Sequence, residues 1–229
     1  MASSSEISIE KNTGAGTIYG IYVKADDNDS YTKEIIAARD SSMTISRTSD
    51  GETYGIYDES GSVITYNGDM NITTALNHAY GAYLNGSKYN NGQYTNITVE
   101  NTNAGNAYGF YNFGGETSIQ HDGTMTVKTK EGIAYGVYVE TPSENGISVT
   151  TSDINSKIEV ESSGVYTAYG IKSDNGKVIL GLVGGSTIAV PVGEINVKNT
   201  YEGDCDIEKE ECAAFGIDSA SVDIFRRSI

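Results

Sequence analysis

Few side chains in this 229-residue chain carry chemistry, and their spacing sets what they could do. The two histidines, His78 and His121, are the natural candidates for general acid–base work. His78 directly precedes an Ala-Tyr-Gly phrase and His121 precedes the turn dipeptide Asp122-Gly123, so neither shares a place in the chain's repeat with a nucleophile. Both are expected to be solvated surface residues. Ser30-Tyr31-Thr32-Lys33 matches Ser-x-x-Lys, but its companion motifs are absent and no Gly-x-Ser-x-Gly elbow occurs. Two acidic clusters, Asp26-Asp27-Asn28-Asp29 and Asp204 to Glu211, offer oxygen ligands for calcium. Neither has the Asp-x-Asp-x-Asn-Gly loop with a distal Glu, so both read as solvated loops. Gly14-Ala15-Gly16 runs into a strand rather than a helix, which makes it a turn and not a phosphate cradle. The two cysteines, Cys205 and Cys212, lie together in one insertion. A local disulfide and two free thiols both remain open readings, because pairing cannot be deduced from sequence. Two thiolates among acids lack the His or second Cys pair of a zinc site. No catalytic, cofactor or metal site is therefore expected.

The elements that would have to position such groups are written as a repeat. An aromatic, a glycine, an apolar residue and usually a tyrosine recur seven times: Tyr19-Gly20-Ile21-Tyr22, Tyr54-Gly55-Ile56-Tyr57, Tyr80-Gly81-Ala82-Tyr83, Tyr108-Gly109-Phe110-Tyr111, Tyr135-Gly136-Val137-Tyr138, Tyr169-Gly170-Ile171-Lys172 and Phe215-Gly216-Ile217-Asp218. The glycines are 35, 26, 28, 27, 34 and 46 residues apart, a period near 27 with insertions. Such a period means one supersecondary unit stacked on copies of itself. About ten residues upstream of each glycine stands an alternating apolar pair: Ile7/Ile9, Met43/Ile45, Met70/Ile72, Ile97/Val99, Met125/Val127, Ile158/Val160 and Ile195/Val197. Each pair marks a half-buried strand. A third, less regular strand is expected at Val63-Ile64-Thr65, Ser118-Ile119-Gln120, Ile147-Ser148-Val149 and Val178-Ile179-Leu180. Turn dipeptides such as Asp50-Gly51, Asn67-Gly68 and Asn85-Gly86 separate the strands. They also suit antiparallel hairpins. Identical phrases at a one-coil period, however, come into register only if each strand lies above its own copy.

The expectation is an all-β, three-strand-per-coil parallel β-solenoid forming a single domain over residues 1–229. It divides into a partial coil 1–17, six coils at 18–52, 53–78, 79–106, 107–133, 134–167 and 168–213, and a partial coil or cap at 214–229. Insertions at Ala25 to Ala38, Thr141 to Ser156, Gly181 to Gly193 and Tyr201 to Ala213 are expected to loop outward, and Lys33 to Arg39 could form one or two helical turns. Strict alternation through the phrase places Tyr19 and Ile21 inward, with Gly20 and Tyr22 outward, and likewise in each copy. This predicts an internal column of Tyr19, Tyr54, Tyr80, Tyr108, Tyr135, Tyr169 and Phe215, with Gly20, Gly55, Gly81, Gly109, Gly136, Gly170 and Gly216 as its structural partners. The final tyrosines would form a surface row stacked from coil to coil.

A net charge of -16 with no Lys/Arg stripe argues against nucleic acid and anionic membranes as partners. No apolar run is long enough to cross a bilayer, and Met1 to Ser5 lack the pattern of a signal peptide. The chain opens in mid-repeat and stops shortly after a new repeat begins, which suggests a segment of a longer protein.

Phrases such as Ala107-Tyr108-Gly109-Phe110-Tyr111-Asn112 and Ala134-Tyr135-Gly136-Val137-Tyr138, with an Ile-x-Val strand and Ser/Thr/Asn-rich linkers, resemble the repeats of bacterial autotransporter passenger domains over about residues 6–224. The resemblance implies a right-handed parallel β-helix, extracellular or on the bacterial outer surface, serving as a non-catalytic adhesin or stalk with a host glycan or protein as partner. The chain departs from that pattern in having neither an export signal at its start nor a membrane barrel at its end. The alternatives are a carbohydrate-active β-helix enzyme and a subunit of a trimeric phage fibre. Open strand edges at both ends predict end-to-end self-association.

Overall fold

The computed structural model describes residues 5–24, 33–92, 94–114, 117–140, 147–150, 155–180, 193–206 and 211–224. Among them every regular element is a strand, and the strands wind through seven coils. The first coil is β1 (Glu6–Lys11), β2 (Ile18–Val23) and β3 (Glu34–Ala37); the second is β4 (Ser42–Arg47), β5 (Thr53–Asp58) and β6 (Val63–Tyr66). The third is β7 (Asp69–Leu76), β8 (Ala79–Asn85) and β9 (Lys88–Asn91), and the fourth β10 (Asn96–Ala104), β11 (Ala107–Gly114) and β12 (Ser118–His121). The fifth is β13 (Thr124–Glu131), β14 (Ala134–Val139) and β15 (Ile147–Thr150). In the sixth, β16 (Lys157–Ser162) is followed by one long strand, β17 (Ala168–Leu180), and in the seventh β18 (Glu194–Asn199) by β19 (Ala214–Ile224).

Strands stack in parallel on three faces. The first face runs β1-β4-β7-β10-β13-β16-β18. The second begins at β2 and the third at β3; they merge into one twelve-stranded sheet because β17 and β19 turn the corner between them. The register is the one the repeat predicts: Ile7, Met43, Met70, Ile97, Met125, Ile158 and Ile195 lie one above another on the first face. On the second, Tyr19, Tyr54, Tyr80, Tyr108, Tyr135, Tyr169 and Phe215 do the same. On the third, Ile35, Ile64, Tyr89, Ile119, Val149, Leu180 and Ile224 are aligned. The fold is a parallel β-solenoid, and the segments expected as partial coils supply strands to its first and last coils.

Two expectations are corrected. Lys33 to Arg39 is not helical: residues Glu34–Ala37 form β3, paired to β6, because Ile35 fills the third-face position of the first coil. A β-branched pair inside a stacked array gains a ladder and a core contact that a lone helical turn cannot offer. The insertion there is correspondingly shorter, and residues 25–32 lie outside the described residues, as do 141–146, 151–154, 181–192 and 207–210.

The second correction concerns the phrase itself. Ile56, Phe110, Val137 and Ile171 do enter the interior core, together with the residues before the aromatic, Ile18, Ala79, Ala107, Ala134 and Ala168. The leading tyrosines do not. Tyr54, Tyr80, Tyr108, Tyr135 and Tyr169 form a separate cluster with the final tyrosines Tyr57, Tyr83, Tyr111 and Tyr138, on the outer side of the second face. Alternation breaks at the glycine, so that glycine and the apolar residue after it both face inward, while pairing to the next coil stays one to one across the phrase. A Cβ added at Gly55 would lie 2.5 Å from the Gly81 carbonyl oxygen and 2.7 Å from Met70 Sδ; one at Gly81 would lie 2.5 Å from the Gly109 oxygen. Glycine is required here for close approach, since a first-face side chain of the next coil occupies the space a Cβ would take.

Gly81→Ala is expected to destabilise the protein by about 1–3 kcal/mol through overpacking. Gly216→Ala, whose Cβ would meet nothing within 4 Å, should leave stability unchanged. Urea denaturation of the two variants side by side checks the contrast.

Candidate functional surfaces

The second face carries a double row of tyrosine rings. Leading rings stack nearly parallel: Tyr54 on Tyr80 at 4.5 Å between centroids, Tyr80 on Tyr108 at 4.8 Å and Tyr108 on Tyr135 at 4.9 Å. In the second row Tyr57 stacks on Tyr83 at 4.8 Å and Tyr83 on Tyr111 at 4.7 Å. Within a coil the rows meet edge to face, as in Tyr54 against Tyr57 at 4.9 Å and 90°. Offset and edge-on contacts of this kind favour the ring quadrupoles. Where the row changes residue type, Lys172 keeps it going by placing its Nζ 4.4 Å from the centre of the Tyr169 ring and pairing with Asp218 at 3.5 Å.

Hydroxyl partners come from neighbouring turns. Tyr54 donates to Glu52 at 2.6 Å, Tyr111 to Glu140 at 2.7 Å and Tyr138 to Asp174 at 2.6 Å, while the Tyr108 hydroxyl accepts from Asn106 Nδ2 at 2.9 Å. Burial pushes the Tyr57 and Tyr83 phenols up to about 12. Tyr54 and Tyr111 rise further because each also donates to a carboxylate, which opposes a phenolate.

The outer side of the first face is polar and bears a groove of about 460 Å³ lined by Thr126, Lys128, Glu159, Glu161, Asn196 and Lys198 on its exposed side. One column through it reads Glu100, Lys128, Glu161, Lys198. Glu161 pairs with Lys128 at 3.8 Å and with Lys198 at 3.1 Å, and Lys157 pairs with Glu194 at 3.5 Å. In-register stacking puts successive copies of a position one strand spacing apart, so alternating charge avoids like-charge contact. The groove offers ammonium donors and carboxylate and amide acceptors to a polar ligand.

The histidines are placed differently from expectation. His121 is not solvated: it is 3% exposed, at the end of β12, with Nε2 3.0 Å from the Lys157 carbonyl and Nδ1 3.1 Å from the Asn91 side chain. Its position in β12 aligns with Asn91 of β9, so the strand-to-turn residue faces the interior. Burial drives its pKa down to about 4. A neutral imidazole that donates from Nε2 must accept at Nδ1. The Asn91 amide nitrogen, otherwise buried without a partner, supplies that donor once the amide is turned, an orientation heavy atoms alone do not fix. His78 is half-buried, accepts at Nδ1 from the Asn106 backbone at 3.1 Å, and lies edge-on to Tyr80 and Tyr108; burial lowers its pKa too. Among the described residues neither ring has a nucleophilic side chain as a hydrogen-bond partner.

Two buried charges escaped sequence reasoning. Asp58 is fully buried and accepts from the backbone and hydroxyl of both Ser60 and Ser62 and from Ser87 Oγ at 2.7 Å. The Asp-x-Ser-x-Ser spacing of residues 58–62 is the local signal for such a turn. Arg47, 1% exposed, donates to the Ser49 carbonyl at 2.9 Å and the Glu52 carbonyl at 3.0 Å. It lies in a column of corner residues that runs Lys11, Arg47, Thr74, Asn101, Thr129, Ser162 and Asn199, each donating to nearby backbone carbonyls.

Cys205 and Cys212 form a disulfide with Cα atoms 5.9 Å apart. Of the acidic clusters, Asp26 to Asp29 and residues 207–210 lie outside the described residues; Glu211 accepts from the Asp206 backbone at 2.9 Å. Among the described residues no three His, Cys, Asp or Glu side chains converge on a common metal position. The residues of Ser30-Tyr31-Thr32-Lys33 before Lys33 also lie outside the described residues. Gly14 and Gly16 have φ of 79° and 112°, the left-handed backbone of a turn.

The class that fold and surfaces define is a parallel β-solenoid with a tyrosine-ladder face. Comparison of the chain with protein-family models, curated proteins and solved structures finds no match.

The burial of His121 has a consequence for acid stability. Its folded pKa lies below the unfolded value of about 6.5, so above that pH both states are neutral and the group is without effect. As pH falls from about 6.5 towards 4, the unfolded chain takes up a proton that the folded one refuses, and stability falls. Between pH 7 and 4.5 this group should account for about 2–3 kcal/mol of lost stability. His121→Gln should flatten the wild-type pH dependence by that amount in paired urea titrations.

Proposed function

We propose that the chain is a non-catalytic structural and adhesive segment of a secreted or surface-displayed bacterial protein, similar in role to an autotransporter passenger. The observation that carries the reading is the parallel coil-to-coil pairing on three faces, whose register shifts only near strand ends or corners, after Asn101, Asn112 and Ser173. Every coil is hydrogen-bonded to the next, giving a stiff rod about 30 Å long at roughly 4.8 Å per coil. A rod of this kind presents outer side chains at fixed spacing, which is what a display or adhesion element needs. The Cys205–Cys212 disulfide suits an oxidising, extracytoplasmic location. The net charge of -16 suits a soluble surface that avoids nucleic acid and anionic lipid. On this reading the polar first face contacts a host glycan or protein, and the tyrosine rows hold the rod together.

Antibody labelling of intact source cells tests the location. Surface staining is expected, and a protein that fractionates with the cytoplasm with both thiols free would sink the proposal. The division of labour between faces is tested by the double variant Tyr83→Ser, Tyr111→Ser. It should cost about 2–4 kcal/mol of stability from lost ring packing. Binding per folded molecule to host-cell surfaces should stay at the wild-type level; unchanged stability with lost binding would make the tyrosine row the contact face.

A further inference from the structure

The outer side of the first face carries its charges in a pattern that is its own complement. Over coils four to seven one column runs Glu100, Lys128, Glu161, Lys198. From the far end the signs are reversed, so a second copy turned end for end sets an opposite charge against every position. The two neighbouring columns tolerate the same reversal. In the first, Asn96 would meet Glu194 and Thr124 would meet Lys157; in the second, Thr98 would meet Asn196 and Thr126 would meet Glu159. No like charges oppose each other in the three columns. They hold three lysines and four glutamates, which makes this a nearly neutral patch on a chain of net charge -16. Its long side chains reach outward: Lys128 is 49% and Lys198 63% exposed, beside the groove described above. At physiological salt the Debye length is about 8 Å, so repulsion from the rest of the surface is screened while charges in contact still interact.

We infer that two copies of this chain pair face to face through the outer first face of coils four to seven, about a two-fold axis parallel to the strands and passing between coils five and six. Coil four then faces coil seven of the second copy, and coil five faces coil six. Glu100 meets Lys198 and Lys128 meets Glu161, each contact occurring twice by symmetry. The pairs within one chain, Glu161 with Lys128 at 3.8 Å and with Lys198 at 3.1 Å, are kept, so the junction becomes a checkerboard of alternating sign. Exposed ion pairs are individually weak, so the dimer is a transient one whose orientation is set by the charge pattern. An eighth coil, were one to follow, would face the third, so the pairing does not depend on where the array stops. Outward residues of the first three coils, such as Ser8, Thr44 and Asn71, stay uncovered. A paired rod thus carries two copies of that surface, one towards each end, and extends the display role to bivalent contact with a partner.

Sedimentation equilibrium of the 229-residue chain supplies the test. Mass should rise with concentration and level at two copies, and added salt should shift the balance back to monomer. Lys128→Glu sets glutamate against Glu161 at two symmetric places and should weaken dimerisation about tenfold. The fourfold variant Glu100→Lys, Lys128→Glu, Glu161→Lys, Lys198→Glu keeps both the net charge and the alternation within the chain. It should dimerise with itself as wild type does, yet a fluorescently labelled sample of it should stay monomeric when mixed at trace level with wild-type chain. Circular dichroism melts of both variants are expected to match wild type. A monomer at every concentration, a mass that continues past two copies, or mixed dimers as stable as either parent dimer would each overturn the inference.

Discussion

The glycine of each coil lies against the glycine carbonyl of the next, and the rest of the cross-section is arranged around that approach. An extra methyl at Gly55 or Gly81 would come to 2.5 Å of the neighbouring carbonyl oxygen, far inside contact distance. The space left free is taken by Met70 beside Gly55 and by Val99 beside Gly81, each from the first face of the following coil. Because glycine and its successor both turn inward there, the flanking aromatics are thrown outward together, and a local break in alternation becomes the origin of the double tyrosine row.

Parallel stacking in register then sets rules for every other position. Apolar residues gain, since Met43, Met70 and Ile97 lie on one another with almost no exposed surface. Tyrosine gains, since flat rings at 4.5–5.3 Å fit the coil spacing. Charged residues lose unless sign alternates, as it does through Glu100, Lys128, Glu161 and Lys198. Polar residues that face inward survive at corners, where turn carbonyls and amides need partners: Arg47 serves two carbonyls, Asp58 collects serine donors, and His121 bridges Asn91 and Lys157. A buried polar group with its partners complete, as Asp58 is, specifies the turn geometry at little net cost, whereas Arg47 keeps one guanidinium nitrogen, Nη2, buried without a partner.

This organisation spreads functional groups along a line. A coil repeats its neighbour's outer residues at one strand spacing, so the surfaces offer periodic rows of like chemistry on a stiff support. The groove at Lys128, Glu161 and Lys198 and the tyrosine face are both of this form, and both suit repeated, shallow contacts of the display role proposed above.

What the amino-acid sequence determined by itself was the period, the strand positions of the first two faces and the register of stacking, because each is encoded in local alternation and in recurrence of one phrase. Third-face strands such as Lys88–Asn91 and Glu34–Ala37 carried little pattern of their own and became visible only beside β6 and β12. Only the tertiary structure decided which side of the second-face strand meets the core. Alternation alone assigned the leading tyrosines inward, and the break in alternation at the glycine, which is favourable only when a side chain from the next coil fills its space, put them outside with the final tyrosines. Burial of His121 and Asp58 followed the same logic. Their surroundings are built by residues about thirty positions away, Asn91 and Ser87, which meet them only after the coil has closed on its neighbour.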